Sequence, residues 1–106
     1  MKLQGNIIIP EAKLTQYLLI HREYDDKFKF LAQAGFTQNN PKQLKEAILT
    51  LIKTHDAVID RQNKYGTFYR VEGSLIGTKR FLAVVTIWLK RTEDGNIQFI
   101  TLKPRK

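Results

Sequence analysis

The sequence predicts an α+β domain in which three N-terminal helices pack on one face of a four-stranded antiparallel sheet, a meander. Apolar residues recur at helical spacing up to about residue 55 and alternate with polar residues from there to the end. Short turn signals separate the successive strands, which forces neighbouring strands to run antiparallel. A chain of 106 residues has room for one core, so we expect a single domain over 1–106, helical over 1–55 and a sheet over 56–106.

Three segments of the N-terminal half have helix signals. The first helix is predicted over about Pro10 to Ile20, because proline is tolerated in a first turn. A second helix, about Asp26 to Ala34, is expected to end where Gly35 accepts a positive φ. The third, about Pro41 to Thr54, follows Asn40 as its N-cap. Its apolar stripe consists of Leu44, Ile48, Leu51 and Ile52.

The C-terminal half is rich in β-branched and aromatic residues, which favour strands. The predicted strands are Ala57–Arg61, Thr67–Ile76, Lys79–Arg91 and Asn96–Lys103. The third of these is apolar on both faces over residues 81–89, as expected of a central strand. Since the helices cover one face of the sheet, the other face is left to water or to a ligand.

Basic residues outnumber acidic ones, 18 Lys and Arg against 10 Asp and Glu, for a net charge of +8. Such an excess favours a polyanionic partner, because released counterions and long-range attraction both favour the complex. RNA, DNA, an acidic protein and an acidic membrane surface all fit this description. Basicity that serves solubility alone is the other interpretation.

Several classes of protein and site are disfavoured. The chain has no cysteine, which excludes disulfides, thiolate metal sites and cysteine nucleophiles. Its longest apolar run, residues 81–85, is far too short to span a membrane, and its first residues lack a signal peptide. We therefore expect a cytoplasmic protein without a membrane partner. The two histidines, His21 and His55, are far apart, and no phosphate-loop, dinucleotide or nucleophile-elbow motif occurs. No metal and no small-molecule cofactor is predicted.

The remaining polar inventory is Lys, Arg, Tyr, Thr and His, and it suits metal-independent cleavage of RNA. In that reaction the ribose 2′-OH is the nucleophile. The enzyme must accept its proton, protonate the 5′ leaving oxygen and place cations around the phosphorane. Threonine hydroxyls can also hold the phosphate.

Several short segments, spread over nearly the whole chain, have a familiar form. They are PEAKLTQYL (10–18), DKFKFL (26–31), GF (35–36), YGT (65–67), VTIW (85–88) and TLKP (101–104). Together they resemble an uncharacterised small bacterial domain family of the cyanobacterial type. The order of elements in that family is similar to that of the barnase–EndoU–colicin–RelE class of ribonuclease toxins. The resemblance implies a cleft lined by Lys27, the turn at 65–67, Thr86 with Trp88, and Thr101.

We therefore predict a small metal-independent ribonuclease toxin of a toxin–antitoxin system, with RNA as its substrate and an acidic antitoxin as its partner. The candidate catalytic residues are Lys27 and His21 for acid–base chemistry, with Tyr69, Thr86 and Thr101 to position phosphate. The candidate nucleic-acid contacts are Tyr65, Thr67, Lys79, Arg80, Trp88, Lys103 and Arg105.

Other interpretations stay open. The same basic surface suits a non-catalytic module that binds nucleic acid or an acidic protein, and an inert partner such as an antitoxin or immunity protein is a third possibility. His21 is also explained, and more simply, as a helix-end cation that complements the helix dipole, and Lys27 as a solvated lysine. Trp88 is either a core residue or a base-stacking platform, and Tyr65 and Tyr69 either pack across strands or belong to a site.

Overall fold

A computed structural model describes residues 2–14, 27–37 and 39–105 of the chain. Its elements are β1 (Ile7–Ile8), α1 (Glu11–Lys13), α2 (Lys27–Ala32), α3 (Pro41–Thr54), β2 (Ala57–Asn63), β3 (Gly66–Ile76), β4 (Phe81–Arg91) and β5 (Ile97–Pro104). The fold is α+β, with the helices in the N-terminal half and the long strands in the C-terminal half. None of the helices described is long and apolar enough to cross a membrane.

The sheet differs from the predicted one. It has five strands in the order β1-β5-β4-β3-β2, and it is mixed, because β1 runs parallel to β5 while the other pairs are antiparallel. The prediction of a four-stranded, wholly antiparallel sheet is therefore wrong. Strand β1 has only two residues, too few to show alternation, and its partners Ile97 and Gln98 lie at the far end of the sequence.

The predicted layer of three N-terminal helices is also wrong. Among the residues described, α3 is the one long helix, with 14 residues, whereas α2 has six and α1 has three. The rest of the predicted first helix falls in 15–26, outside the described residues. Helix α2 stops before Gly35, whose φ of +98° breaks the helical path. Helix α3 has the bounds expected from its N1 proline and apolar stripe.

The core lies between α3 and one face of the sheet, called here the covered face. Helix α3 contributes its buried stripe of Leu44, Ile48, Leu51 and Ile52. Side chains of alternate residues of β3, β4 and β5 meet it, including Val71, Leu75, Leu82, Val84, Trp88, Phe99 and Leu102. Gly73 allows this close packing, because a Cβ there would lie 2.7 Å from the His55 ring and 2.8 Å from Leu51.

The opposite side of the sheet is called here the open face. The pairing of β3 with β4 and of β4 with β5 assigns to it Phe68, Arg70, Glu72, Ser74, Ile76, Phe81, Ala83, Val85, Ile87, Leu89, Arg91, Gln98, Thr101 and Lys103. Ile76 and Phe81, a cross-strand pair at one end, are 57% and 69% exposed. Large apolar side chains so exposed show that this end of the face meets solvent.

Candidate nucleic-acid interface

The middle of the open face is built from two cross-strand rows. In one row Arg70, Ile87 and Thr101 stand side by side, and in the next Glu72, Val85 and Lys103 do. Adjacent strands are about 4.8 Å apart, so the first and last residues of a row have backbones about 10 Å apart. Each row therefore presents polar side chains on both sides of an apolar one.

The charges of these rows are mainly positive. Arg70 lies 3.7 Å from the Glu72 carboxylate and 3.8 Å from that of Asp60. These pairs stand in solvent, where an ion pair contributes little and exchanges easily with other partners. Lys103 and Arg105 have no ion pair among the residues described, and the Arg105 backbone N–H extends β5 by donating to the Ala83 carbonyl at 2.9 Å. Arg70, Lys103 and Arg105 thus give this part of the open face three cations, and Arg70 is the one paired with carboxylates.

One end of the open face forms a cavity, called here the turn pocket. Its lining consists of Lys64, Tyr65, Leu89, Arg91, Thr92, Glu93 and Gln98, around a volume of about 440 Å³. The β2–β3 and β4–β5 turns make its walls, and Leu89 is part of its floor. The Tyr65 ring is 61% exposed, and the Lys64 ammonium lies 5.2 Å from the ring centroid. This pocket combines an exposed aromatic ring with polar side chains.

Arg91 fixes the far wall of the turn pocket. Its Nη2 lies 3.0 Å from the Glu93 carboxylate and also contacts Asp94, and its Nη1 donates to Gln98 Oε1 at 3.4 Å. Its Nε is buried and has no hydrogen-bond partner among the residues described. The guanidinium therefore fastens the β4–β5 turn to the sheet, at the cost of one unsatisfied donor.

Thr86 and Trp88 lie on the covered face, away from this interface, and both are fully buried. The Thr86 hydroxyl donates to the Val71 carbonyl at 3.0 Å and accepts from Trp88 Nε1 at 2.8 Å. Neither side chain has surface to offer a ligand in this structure. Thr101 pairs with Ile87, one residue along from Thr86, so the two threonines point to opposite faces and do not converge.

Tyr69 also belongs to the covered face, at its end. It is half-buried and lines a shallow cavity of about 200 Å³ together with Lys2, Gln4 and Lys90. Thr67 lies at the same end, where its hydroxyl accepts from Gln62 Nε2 at 3.3 Å. The structure therefore does not bring Tyr69 and Thr67 to the surface that holds Thr101.

The remaining predicted residues divide between the two ends of the sheet. Lys79 and Arg80 are exposed in the β3–β4 turn beside Phe81, and Tyr65 stands at the opposite end. Lys103 and Arg105 are exposed and belong to the open face or its extension. His21 lies outside the described residues, as does the side chain of Lys27, whose backbone begins α2. His55 ends α3, with Nδ1 3.1 Å from the Leu51 carbonyl, as expected of a helix-end histidine.

Sequence reasoning missed Arg70 and Glu72 on the open face and Arg91 and Gln98 in the turn pocket. A signal for the first two was present, because charged residues two apart in a strand share a face and the apolar Val71 stands between them. Arg91 and Gln98 gave no comparable signal, since only the geometry of the turns brings them to Tyr65.

No group of His, Asp or Glu in the described part of the chain is placed to hold a metal ion.

Fold and site together define a small α+β domain with a cationic open sheet face and a pocket at one end of it. The chain belongs to the family described as a domain of unknown function, DUF6883, whose model matches residues 2–106. No curated protein and no solved structure matches the chain. Membership of this family assigns no activity, so function has to be argued from the residues.

Proposed function

We propose that the protein is a metal-independent endoribonuclease that holds single-stranded RNA on the open face and cleaves it through attack of the ribose 2′-OH. The observation that supports this most is the row of Glu72, Val85 and Lys103. It holds a carboxylate and an ammonium on either side of one apolar side chain, on a surface with further cations. Cleavage of this kind needs a proton acceptor, a proton donor and cations near the phosphate.

Each part of the reaction has a candidate side chain. Glu72, whose side chain is 40% exposed, is assigned to accept the proton of the 2′-OH as its oxygen attacks phosphorus. The P–O5′ bond breaks, and Lys103 is assigned to protonate the departing 5′ oxygen. The products are a 2′,3′-cyclic phosphate and a 5′-OH. Two arginines are assigned to stabilise the negative charge that develops on the phosphoryl oxygens. They are Arg70, which lies 3.7 Å from Glu72, and Arg105.

The first test is cleavage of a single-stranded RNA by the purified chain in EDTA. We expect products with 2′,3′-cyclic phosphate ends, and no cleavage of the same sequence made of 2′-deoxynucleotides. Glu72→Gln should lower the cleavage rate about 100-fold or more, because it removes the proton acceptor without changing shape. Glu46→Gln, the same change on the exposed side of α3, should leave the rate unaltered.

The outcomes separate two levels of the proposal. If Glu72→Gln cleaved RNA at the normal rate, Glu72 would not be the proton acceptor, but the proposed ribonuclease activity would still hold. If the RNA stayed intact after incubation with the wild-type chain, the proposed ribonuclease activity would be refuted. In that case retention of the RNA on a filter would favour the second candidate, a non-catalytic module that binds nucleic acid or an acidic protein. That candidate is favoured by the lack of a histidine on the open face among the residues described.

The proposal extends to a toxin that is neutralised by an acidic antitoxin. Its support is the net charge of +8 and the presence of Arg70, Lys103 and Arg105 on the open face or its extension. Expression of the chain alone should arrest growth, and co-expression of an acidic protein encoded beside it should restore growth. Harmless expression of a chain that cleaves RNA in vitro would separate the ribonuclease from the toxin.

A further inference from the structure

The turn pocket contains an exposed aromatic ring whose backbone is fixed by hydrogen bonds. The Tyr65 backbone N–H donates to Asn63 Oδ1 at 2.8 Å, and its carbonyl accepts from the Thr92 N–H at 3.0 Å. Both backbone polar groups are thus fixed, the second by the neighbouring β4–β5 turn. Because this backbone is already ordered, stacking of another ring on Tyr65 costs little backbone entropy.

Gly66 explains why Tyr65 can be held there. Its φ is +146°, and a Cβ at this position would lie 2.0 Å from the Lys90 carbonyl oxygen. Only glycine therefore lets the chain turn directly after Tyr65 and still enter β3 in register with β4. The close approach of the two strands delivers the Tyr65 ring to the edge of the open face, beside Leu89 and Gln98.

We propose that the turn pocket binds one unpaired nucleobase of single-stranded RNA, stacked on the ring of Tyr65. This inference rests on the proposed ribonuclease function and adds a subsite for one base of its single-stranded substrate. A volume of about 440 Å³ accommodates a base, and Leu89 supplies an apolar surface below it. Base–aromatic stacking tolerates every base, because each has a π face, and the nearby Lys64 ammonium suits the adjoining phosphate.

Two side chains in the pocket are suited to the polar edge of the base. Gln98 uses its carbonyl oxygen to accept from Arg91, which leaves its amide N–H groups without a partner among the residues described. The Glu93 side chain is 75% exposed and offers acceptor oxygens. A donor and an acceptor in one pocket match the edges that unpaired bases present. These two residues are therefore assigned to base preference, and Tyr65 to affinity.

The pocket lies at a suitable distance from the assigned chemistry. Leu89 is two residues from Ile87 and four from Val85 along β4, so the pocket is about 7 Å from the first row and about 13 Å from the row of Glu72. An extended single strand covers that distance with about one to two nucleotides. A base in the pocket would then place the next phosphodiester near the first row and the following one near the row of Glu72.

The test measures binding separately from cleavage. A short 2′-O-methyl RNA, which cannot be cleaved through a 2′-OH, is made with the fluorescent base 2-aminopurine at one position at a time. We expect quenching at one position of the bound strand. Tyr65→Leu should remove that quenching and weaken binding about 10-fold, whereas Tyr65→Phe should keep both, because the ring does the stacking. Phe81→Leu changes an exposed aromatic residue at the opposite end of the sheet from the turn pocket, beyond both rows; it is the matched control and should bind normally.

Each result decides the matter. If Tyr65→Leu binds and quenches like the wild type, the pocket is not a base site, even if the wild type cleaves RNA. If Phe81→Leu weakens binding as much as Tyr65→Leu, the aromatic contacts are unspecific and the inference also fails. A wild type that does not bind the strand overturns the inference, while cleavage in EDTA still decides the ribonuclease. As a finer check, Gln98→Ala should flatten the sequence preference of cleavage without removing it.

Discussion

On the covered face of the sheet, Thr86 and Trp88 are fully buried and hydrogen-bonded to each other, whereas the open face presents Thr101 half-buried and Tyr65 exposed. The residue types are alike on the two sides, but their exposure to solvent differs. A buried hydroxyl with both a donor and an acceptor satisfied has nothing left for a ligand. The comparison teaches that residue type alone does not decide between a structural and a ligand-binding role in a strand. The face matters, and so does local cover, since Phe68 and Val85 of the open face are buried.

The largest effect that separates the two faces is expected at Trp88. Its ring packs edge-to-face on Phe99 at a centroid distance of 5.2 Å within the core. Trp88→Ala should lower the free energy of unfolding by about 3–5 kcal/mol, because it removes a large buried side chain and leaves a cavity. Chemical denaturation followed by far-UV circular dichroism measures this. The matched substitution Phe81→Ala should change stability by about 0.5 kcal/mol or less, since Phe81 is 69% exposed.

A similar loss at the two positions would break the comparison, because it would mean that Phe81 is covered too. Weak destabilisation by Trp88→Ala would also break the comparison between the two faces. It would indicate that the covered face is less tightly packed than the burial of Trp88 implies.

A smaller effect is expected from the two threonines. Thr86→Val keeps the shape of the side chain but leaves the buried Trp88 indole N–H without an acceptor. We expect a loss of about 1–3 kcal/mol in the free energy of unfolding, the usual cost of an unsatisfied buried donor. Thr101→Val should cost less, because water can reach this half-buried position and replace a lost partner. Thermal or chemical unfolding measures both variants. If Thr86→Val and Thr101→Val lost equal stability, the assignment of the two residues to opposite faces would be contradicted.

Local signals in the sequence were sufficient for much of the fold. The N1 proline and apolar stripe of α3 predicted its bounds, and the turn signals predicted the antiparallel order of β2 to β5. Strand β1 could not be predicted, because two residues have no period and their pairing with β5 depends on contacts about 90 residues away, as between Ile7 and Ile97. The long-range part of the topology was therefore the part that was wrong.

The candidate site was less predictable, because it depends on register. A shift of one residue moves every side chain of a strand to the other face. Thr86 and Thr101 were grouped on the family resemblance, before the pairing of their strands was known. Arg70 and Glu72 show alternation with apolar neighbours and could have been found. The turn pocket could not, since Tyr65 and Gln98 meet only through the Tyr65–Thr92 backbone bond and the β4–β5 pairing.

The smallest effect concerns the cations of the open face. Binding of single-stranded RNA releases counterions, and each phosphate contact adds about 0.7 to the slope of log K against log salt concentration. Lys103→Gln should therefore lower the slope by about 0.7, measured by filter binding of uncleavable 2′-O-methyl RNA across a salt series. Lys45→Gln, on the exposed side of α3, removes the same charge without removing a contact. It lowers the long-range attraction equally, so it should weaken binding slightly and leave the slope unchanged. If the two variants gave the same slope, the attraction of RNA would come from the net charge of +8 alone. The open face would then not be the RNA interface.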